Sequence, residues 1–283
     1  MKMLESKTRP KSLIGKNLLG ILCLVLAQSA LAGRTLPPGS GSLDTTFDTD
    51  GKVIIDLGNY FDSATSLAIQ ADGKVLTAGL NKLIRLNANG SLDTLFGASG
   101  IVTTAMDQSY GTRALALQAD GKILVSGVSG SQIAVARYHL NGSADVTFGI
   151  NGLATAAAGI AGSTAYAIAI QTDGKIVLAG EARNYLQYPC DGRGSCDYDD
   201  DLVVVRFNID GTLDTRFGNS GVVTTPIGTS TQGDIGARGV AIQADGKIVV
   251  AGYVEYVTGR DILLARYHST NGALDSTFGG MAW

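Results

Sequence analysis

Apolar and polar positions follow one pattern that returns four times along the chain. Each copy begins with alternating small and bulky residues, passes through a polar Gln-x-Asp-Gly-Lys segment and ends in an apolar run that closes on glycine. The polar segments are residues 70–74, 118–122, 171–175 and 243–247. Two apolar runs around an Asp-Gly turn are typical of a β-hairpin, and their recurrence indicates a repeat protein.

A third apolar strand is predicted after each hairpin, ending at Arg85, Arg137, Arg206 and Arg266. A turn containing glycine follows, and then a connector in which an Asp stands three residues before a Phe. The connector Asp residues are Asp44, Asp93, Asp145, Asp214 and Asp275. A short fourth strand is predicted after four of the five connectors, the first of them at residues 52–55. Each unit therefore contains four strands.

Stacked sheets explain why these strands are apolar on both faces, because each sheet is covered by its neighbours. No segment has a sustained helical apolar period. Glycine is frequent, with 38 residues, and charged residues make up only 17% of the chain, which excludes a disordered or coiled-coil chain. The pattern predicts an all-β fold, a β-propeller or propeller-like arc of four four-stranded antiparallel blades.

These residues resemble the delta-60 repeat family of exported bacterial β-propeller proteins. The shared features are GxLDxxFGxxGxV, then AxQxDGK with an apolar run to glycine, then an apolar strand ending in Arg-Tyr. The resemblance covers nearly all of residues 41–280, with repeats at about 41–91, 92–143, 144–212 and 213–273 and a partial repeat at 274–283. It implies a secreted or envelope scaffold and transfers no catalytic residue. Four units can close alone, share a larger ring with a second chain as a homodimer through the end blades, or form an open arc.

The N-terminal segment is predicted to be a cleaved secretory signal peptide at residues 1–32. Basic residues precede an apolar run at 18–27, and Ala30-Leu31-Ala32 supplies the small residues of a cleavage site. The run is too short to span a bilayer. We therefore expect a propeller domain at residues 33–283, located outside the cell, in the periplasm or at the cell surface. The excess of acidic over basic side chains in this domain argues against nucleic acid as a partner.

Links of unequal length all fall at one edge of the predicted sheets, whereas the Asp-Gly-Lys hairpins and the connectors fall at the other. We name these the variable edge and the uniform edge. The variable edge comprises residues 56–65, 80–83, 105–112, 128–132, 156–164, 181–201, 226–237 and 253–261. Loops that vary within a repeat array are commonly the binding loops, so a protein or glycan ligand is expected here. Candidate contact residues are Tyr60, Tyr110, Tyr185, Tyr188, Tyr198 and Tyr256.

The longest variable link, residues 181–201, contains the two cysteines of the predicted mature chain. Cys190 and Cys196 are expected to form a disulfide bond in an exported protein. Its carboxylates, Asp191, Asp197, Asp199, Asp200 and Asp201, are the kind of ligands that calcium takes, but their spacing matches no EF-hand loop. A solvated acidic loop is the simpler interpretation. No cofactor is expected, and calcium is kept as the alternative.

Catalytic signatures are few. The two histidines, His139 and His268, occupy turn positions that hold Asn87 and Asn208 in the other units, and no nucleophile elbow or phosphate-binding loop is present. The recurring strand-end Arg and connector Asp are predicted to pair as part of the architecture. The leading hypothesis is a non-enzymatic binding scaffold. The alternatives are a propeller hydrolase or lyase acting on a sugar or lactone, with calcium, and a purely structural envelope protein.

Overall fold

The structure is a computed structural model that describes residues 41–58, 62–108, 111–185, 198–227, 235–256 and 259–279. All regular elements of these residues are β-strands. Where the chain is described, it contains no helix that is long and apolar enough to cross a membrane. The predicted signal peptide lies outside these residues and stays a prediction.

The strands form four antiparallel sheets, each a consecutive meander. Sheet 1 comprises β1 (Ser66–Ile69), β2 (Val75–Gly79), β3 (Lys82–Leu86) and β4 (Ile101–Thr103). Sheet 2 comprises β5 (Thr112–Leu117), β6 (Ile123–Ser129), β7 (Gln132–Tyr138) and β8 (Leu153–Ala156). Sheet 3 comprises β9 (Gly162–Ile170), β10 (Ile176–Tyr185), β11 (Tyr198–Phe207) and β12 (Val222–Thr225). Sheet 4 comprises β13 (Ile235–Ile242), β14 (Ile248–Tyr256) and β15 (Gly259–Tyr267).

Each hairpin of the uniform edge closes in the same way. In sheet 1 the Gln70 amide donates to the Lys74 carbonyl (2.8 Å), and the Gly73 amide donates back to the Gln70 carbonyl (2.9 Å). Gly73 has a φ of 81°, which a residue with a Cβ rarely adopts, so the Asp-Gly pair suits this turn. The same two bonds recur at the hairpins that begin with Gln118, Gln171 and Gln243.

The hydrophobic core is divided among the three interfaces between consecutive sheets. Leu76 and Leu83 of sheet 1 pack with Ile123 and Val125 of sheet 2. The next two interfaces, between sheets 2 and 3 and between sheets 3 and 4, are built in the same way. The first strands β1, β5, β9 and β13 contact one another in that order and form the inner side of the array. The all-β propeller architecture predicted from the sequence is therefore confirmed.

Two details differ from the prediction of four four-stranded blades. Within the described residues, sheet 4 has three strands rather than four. Residues 52–55, predicted as a strand, form no strand and belong to no sheet, and Ile54 is 95% exposed. The reason is that an outer strand needs the third strand of its own sheet as a hydrogen-bonding partner, and no third strand precedes this segment in the described chain.

Candidate functional site

The strand-end arginines each lie within one repeated polar cluster. In sheet 2, Arg137 Nε donates to Asp145 Oδ2 (2.8 Å), and Lys122 Nζ lies 3.0 Å from the same oxygen. The Arg137 guanidinium carbon lies 4.4 Å from the centroid of the Phe148 ring. Equivalent groups surround Asp93, Asp214 and Asp275. This cluster explains why the unit contains the Lys of the hairpin, the Arg of the third strand, and the Asp and Phe of the connector.

The same arginines also join consecutive units. Arg137 Nη1 donates to the Ile209 carbonyl of the following unit (2.5 Å), and Arg85 and Arg206 donate likewise to the carbonyls of Leu140 and Ser269. These carbonyls belong to the turns after the third strands. Because the cluster recurs in every unit and lies at the uniform edge, its role is architectural.

The carboxylates of these clusters stay ionised under mildly acidic conditions. Burial alone would raise the pKa of Asp145, but hydrogen bonds from Thr147 and Lys122 and the charge of Arg137 outweigh it and lower the pKa well below 3.8. A side-chain hydrogen bond from Lys74 is the main cause of the lowered pKa of Asp93. Each carboxylate is therefore a fixed negative charge around which the turn and the arginine are ordered.

A different set of side chains lies at the inner strands, where each of β5, β9 and β13 contains a β-bulge. The extra residues are Arg113, Tyr166 and Arg238, as the breaks in register against β6, β10 and β14 show. Opposite each bulge stands a glycine. A Cβ built on Gly180 would lie 1.8 Å from the carbonyl oxygen of Thr164, so only glycine lets the inner strand approach this closely.

The bulged side chains meet across neighbouring sheets. The guanidinium carbon of Arg238 lies 3.9 Å from the centroid of the Tyr166 ring, and that of Arg113 lies 5.3 Å from it. Arg238 Nη2 also donates to the hydroxyl of Tyr253 (3.2 Å), and Arg260 lies 4.3 Å from the Tyr253 ring centroid. Arginine and tyrosine thus alternate across sheets 2, 3 and 4, and we call these five residues the Arg–Tyr ladder.

One carboxylate, Glu181, connects this ladder to β10, and a second, Asp200, pairs with Arg183 within the β10–β11 hairpin. The Tyr166 hydroxyl donates to Glu181 Oε1 (2.7 Å), and Arg183 Nε donates to Asp200 Oδ1 (3.1 Å). Burial is the main reason why the pKa of Glu181 is raised, and the charge of Asp200 adds to the shift. Burial and the neighbouring Glu181 charge raise the pKa of Tyr166 to about 12, so its phenol stays protonated and acts as a donor.

A cavity of about 420 Å³ opens beside the ladder at the variable edge. Arg113, Tyr166, Glu181 and Arg183 line it, together with Asp107 and the small residues Ser131, Ser163 and Thr164. The charged lining contains two guanidinium groups and two carboxylates, so the cavity offers both hydrogen-bond donors and acceptors. Its volume lies within the range of small-molecule sites in proteins.

The structure does not describe the side chains of the tyrosines that were predicted to contact a ligand. Tyr60, Tyr110 and Tyr188 lie outside the described residues. Tyr185, Tyr198 and Tyr256 lie in strands, and only their backbones are among the described parts of the structure. The backbones of Tyr185 and Tyr198 stand directly opposite each other in the β10–β11 pair. The role of these tyrosines stays a prediction.

The acidic loop is only partly described. Cys190, Cys196, Asp191 and Asp197 lie outside the described residues, as does the side chain of Asp199. Asp200 accepts from Arg183, and Asp201 Oδ2 accepts from the side-chain Nδ2 of Asn184 (2.9 Å). In the part of the chain that is described, no group of three or more His, Cys, Asp or Glu residues could hold a metal ion. The predicted disulfide bond and the calcium alternative stay untested.

The turn positions of the two histidines match the sequence-based interpretation. The His139 amide donates to the Ser143 carbonyl (2.9 Å), and the His268 amide donates to the Ala273 carbonyl (2.9 Å). Both bonds close the turn that precedes a connector. Asp44 differs from the other connector Asp residues in being exposed, although it accepts from the backbone and hydroxyl of Thr46 as Asp145 does from Thr147.

Sequence reasoning missed the Arg–Tyr ladder, although the repeat alignment contains a signal for it. The residue five positions before each hairpin glutamine is Thr65, Arg113, Tyr166 or Arg238. Within units that otherwise repeat closely, this one position changes from hydroxyl to cation to aromatic ring. A position that varies inside a uniform strand is a candidate for function rather than packing.

Comparison with known families agrees with this architecture. Residues 70–96, 118–148, 171–217 and 243–278 match the model of a family described as "Domain of unknown function (DUF5122) beta-propeller". Each matched segment runs from a hairpin glutamine to the connector, and so contains one complete Lys, Arg, Asp and Phe cluster. The fold and these matches define a β-propeller repeat protein. The matched repeats are similar to those of the DUF5122 β-propeller family.

Solved structures with a similar chain path are distant in sequence. An exo-1,5-alpha-L-arabinanase from a bovine ruminal metagenomic library is 13% identical, with a TM-score of 0.40 and coverage of 74% of this chain and 76% of that chain. A polysaccharide lyase of family PL25, an ulvan lyase, is 10% identical, with a TM-score of 0.44 and coverage of 78% and 59%. A protein of unknown function from Bacteroides caccae is 11% identical, with a TM-score of 0.34 and coverage of 77% and 84%. No curated protein matches this chain.

Proposed function

We propose that this chain is an exported, non-enzymatic β-propeller of the delta-60 repeat type that binds a glycan at its variable edge. The observation that carries the proposal is the Arg–Tyr ladder beside the 420 Å³ cavity. One edge of the array is uniform and serves packing, whereas the other has loops of unequal length and holds this ladder. Such a division is typical of repeat proteins that use one edge for recognition.

The composition of the cavity favours a neutral sugar over a charged ligand. Arg113 and Arg183 supply donors, while Glu181 and Asp107 supply acceptors, so the lining has no net charge. A sugar hydroxyl both donates and accepts, and therefore matches a surface that offers both donors and acceptors. Tyr166 adds an aromatic ring, which offers a large amphipathic contact at low conformational cost.

The test is calorimetric titration of the purified protein with a panel of neutral oligosaccharides. We expect Tyr166→Ala and Arg113→Ala to weaken binding at least tenfold, which corresponds to about 1.4 kcal/mol. Arg216→Ala is the matched control, because Arg216 is an exposed arginine of a connector at the uniform edge. Unchanged affinity in both cavity variants would refute the site. Binding of a protein instead of any sugar would support the other ligand class predicted from the sequence.

The loop tyrosines are tested separately, since their side chains lie outside the described residues. We expect a combined Tyr185→Ala, Tyr188→Ala and Tyr256→Ala variant to lose affinity for the same sugar, because large amphipathic rings commonly carry contact energy. If affinity is unchanged, the ligand does not reach beyond the cavity. Export is tested by N-terminal sequencing of the protein secreted from a bacterial host, which should begin at Gly33.

An enzyme is the second candidate, and Glu181 is the observation in its favour. A carboxyl group with a raised pKa in a cavity is a common feature of a general acid. Glu181→Gln should abolish turnover of a sugar or lactone if the chain is an enzyme, and should leave sugar binding measurable if it is a scaffold. Release of products from the oligosaccharide panel by the unmodified protein would contradict the non-enzymatic proposal.

A further inference from the structure

Within the described residues, sheet 4, the last of the array, has an exposed apolar face and an edge strand without a hydrogen-bonding partner on its outer side. Ile262 and Leu264 of β15 are 83% and 54% exposed. Their equivalents in β7 and β11 are Ile133, Val135, Leu202 and Val204, all 0% exposed because the following sheet covers them. Beyond β15, the described residues contain no fourth strand. In the described part of the chain, sheet 4 therefore differs from sheets 2 and 3 in two respects: no following sheet covers its face, and no fourth strand pairs with its third strand.

The first part of the described chain contains a connector and the segment after it, but not the three strands that precede a connector in the other units. The connector at residues 43–51 docks on sheet 1, where the Asp48 amide donates to the Asn89 carbonyl (2.8 Å). Gly97, Gly149 and Gly218 make the same contact with the unit that follows them. Residues 41–55 therefore occupy the place of a preceding unit, of which they supply only the connector and the segment at the position of the outer strand.

The face of sheet 1 beside this segment is also uncovered. Leu67 and Ile69 of β1 are 59% and 66% exposed, whereas Leu115, the equivalent of Leu67 in β5, is 7% exposed under sheet 1. In the interior of the array, this face of a sheet packs against the third strand of the sheet before it. Sheet 1 therefore lacks, within the described chain, the three strands of a preceding sheet. Sheet 4 consists of three strands and matches this missing part.

We propose that residues 52–55 of a second copy of this chain pair with β15 as its fourth strand, so that sheet 4 packs against sheet 1 of that copy. When the contact forms twice, a two-fold axis relates the copies and a ring of eight sheets closes. Strand addition of this kind supplies backbone hydrogen bonds to an open sheet edge. Val53 then faces the new interface, as Val102 and Val223 do in sheets 1 and 3, and the exposed apolar residues of β15 and β1 leave water.

The three complete sheets specify the register. In sheet 2 the Arg137 amide donates to the Gly152 carbonyl, and Ala136, Val135, Ala134 and Ile133 then stand opposite residues 153 to 156. Sheets 1 and 3 repeat the arrangement at Gly100 and Gly221. Gly51 holds the equivalent position before the second copy's strand. The resulting pairs are Ala265 with Lys52, Leu264 with Val53, Leu263 with Ile54, and Ile262 with Ile55.

This pairing requires that Arg266 exchange its own connector for the connector of the second copy. Arg266 holds Asp275 (2.9 Å) and Phe278 of its own connector, in the place where the second copy's connector with Asp44 and Phe47 arrives. Only one connector can lie against Arg266. The side chain of Arg266 is 18% exposed, against 6% for Arg137, so this is the most accessible of the four clusters. Asp44, exposed at present, becomes the acceptor for Arg266.

The first test is the native mass of the purified protein by light scattering on a sizing column. We expect twice the mass of one chain, and a fall to the mass of one chain for Val53→Pro. Val53 falls at a hydrogen-bonded pair of the ladder, because such pairs alternate and the Arg–Gly pair is one of them. Val53→Pro therefore removes a required amide, and an unchanged melting curve at high dilution would show that the single chain still folds. A single-chain mass for the unmodified protein would overturn the proposal.

The second test distinguishes a second copy from closure within one chain. Chains carrying Ile54→Cys are mixed with chains carrying Leu263→Cys and oxidised, and the linked peptide is identified by mass spectrometry. We expect the 54–263 link to form in the mixture. Ile54→Cys mixed with Leu264→Cys is the matched control, because its side chains lie on opposite faces and should not link. A link that forms only when both cysteines are in one chain would refute the second copy as the occupant.

Discussion

Removal of Arg137 tests the recurring cluster most directly. Arg137 and Asp145 are 6% and 2% exposed in their side chains, and Arg137→Met removes the ion pair, the stacking on Phe148 and the bond to the Ile209 carbonyl. Breaking a buried pair typically costs about 3–5 kcal/mol, because a charge is left buried without its partner. Lys122 stays 3.0 Å from Asp145, so we expect the lower end, about 3 kcal/mol.

The assay is urea denaturation followed by circular dichroism and by tyrosine fluorescence. With an m value of roughly 3 kcal/mol/M, the midpoint should fall by about 1 M urea. Coincident transitions by the two probes are needed before the midpoint is converted into a free energy, since repeat arrays can unfold in parts. Arg216→Met is the control, because Arg216 is an exposed connector arginine at the uniform edge, and a change within about 0.5 kcal/mol is expected there.

A double variant separates the ion pair from the packing of the arginine. Asp145→Asn keeps an oxygen for the Thr147 amide and removes the charge that Arg137→Met leaves behind. We therefore expect the two changes together to cost less than their sum, by about 1 kcal/mol or more. Additive losses, or no loss of stability in Arg137→Met, would refute the view that this pair holds consecutive units together.

The remaining predictions concern the bulges, acid stability and metal. Gly180→Ala should destabilise the protein by about 2 kcal/mol or more, because its Cβ meets the Thr164 carbonyl, whereas Gly239→Ala, whose nearest new neighbour is 3.9 Å away, should change the melting temperature little. The lowered pKa values of the connector carboxylates stabilise the fold at neutral pH, and this contribution is lost progressively as the pH falls from about 4 towards the folded pKa values, so the melting temperature should fall below about pH 4. Glu181, with its raised pKa, acts in the opposite direction, since its contribution is present in acid and lost as the pH rises through its folded pKa; a melting temperature that rises on acidification would contradict this balance. Millimolar calcium should leave the melting temperature unchanged, and an increase would instead favour a calcium site in residues 181–201.

Local chemistry within each unit accounts for what could be predicted from the sequence. The Asp-Gly-Lys turns, the hairpins around them and the pairing of Arg137 with Asp145 all depend on residues close together in the chain. Each of these features also recurs, so one correct interpretation applies four times. The division into a uniform edge and a variable edge follows in the same way, because consecutive antiparallel strands place alternate links at opposite ends.

Contacts between units decided the features that sequence reasoning did not reach. Residues 52–55 have the composition of a strand, but a strand exists only where a neighbouring edge offers hydrogen bonds, and none lies beside them among the described residues. The Arg–Tyr ladder likewise depends on the bulges of β5, β9 and β13 standing side by side, with a glycine such as Gly180 behind each of them. Local pattern therefore determined each sheet, whereas the packing of one sheet on the next determined which side chains meet at the site and which faces stay open.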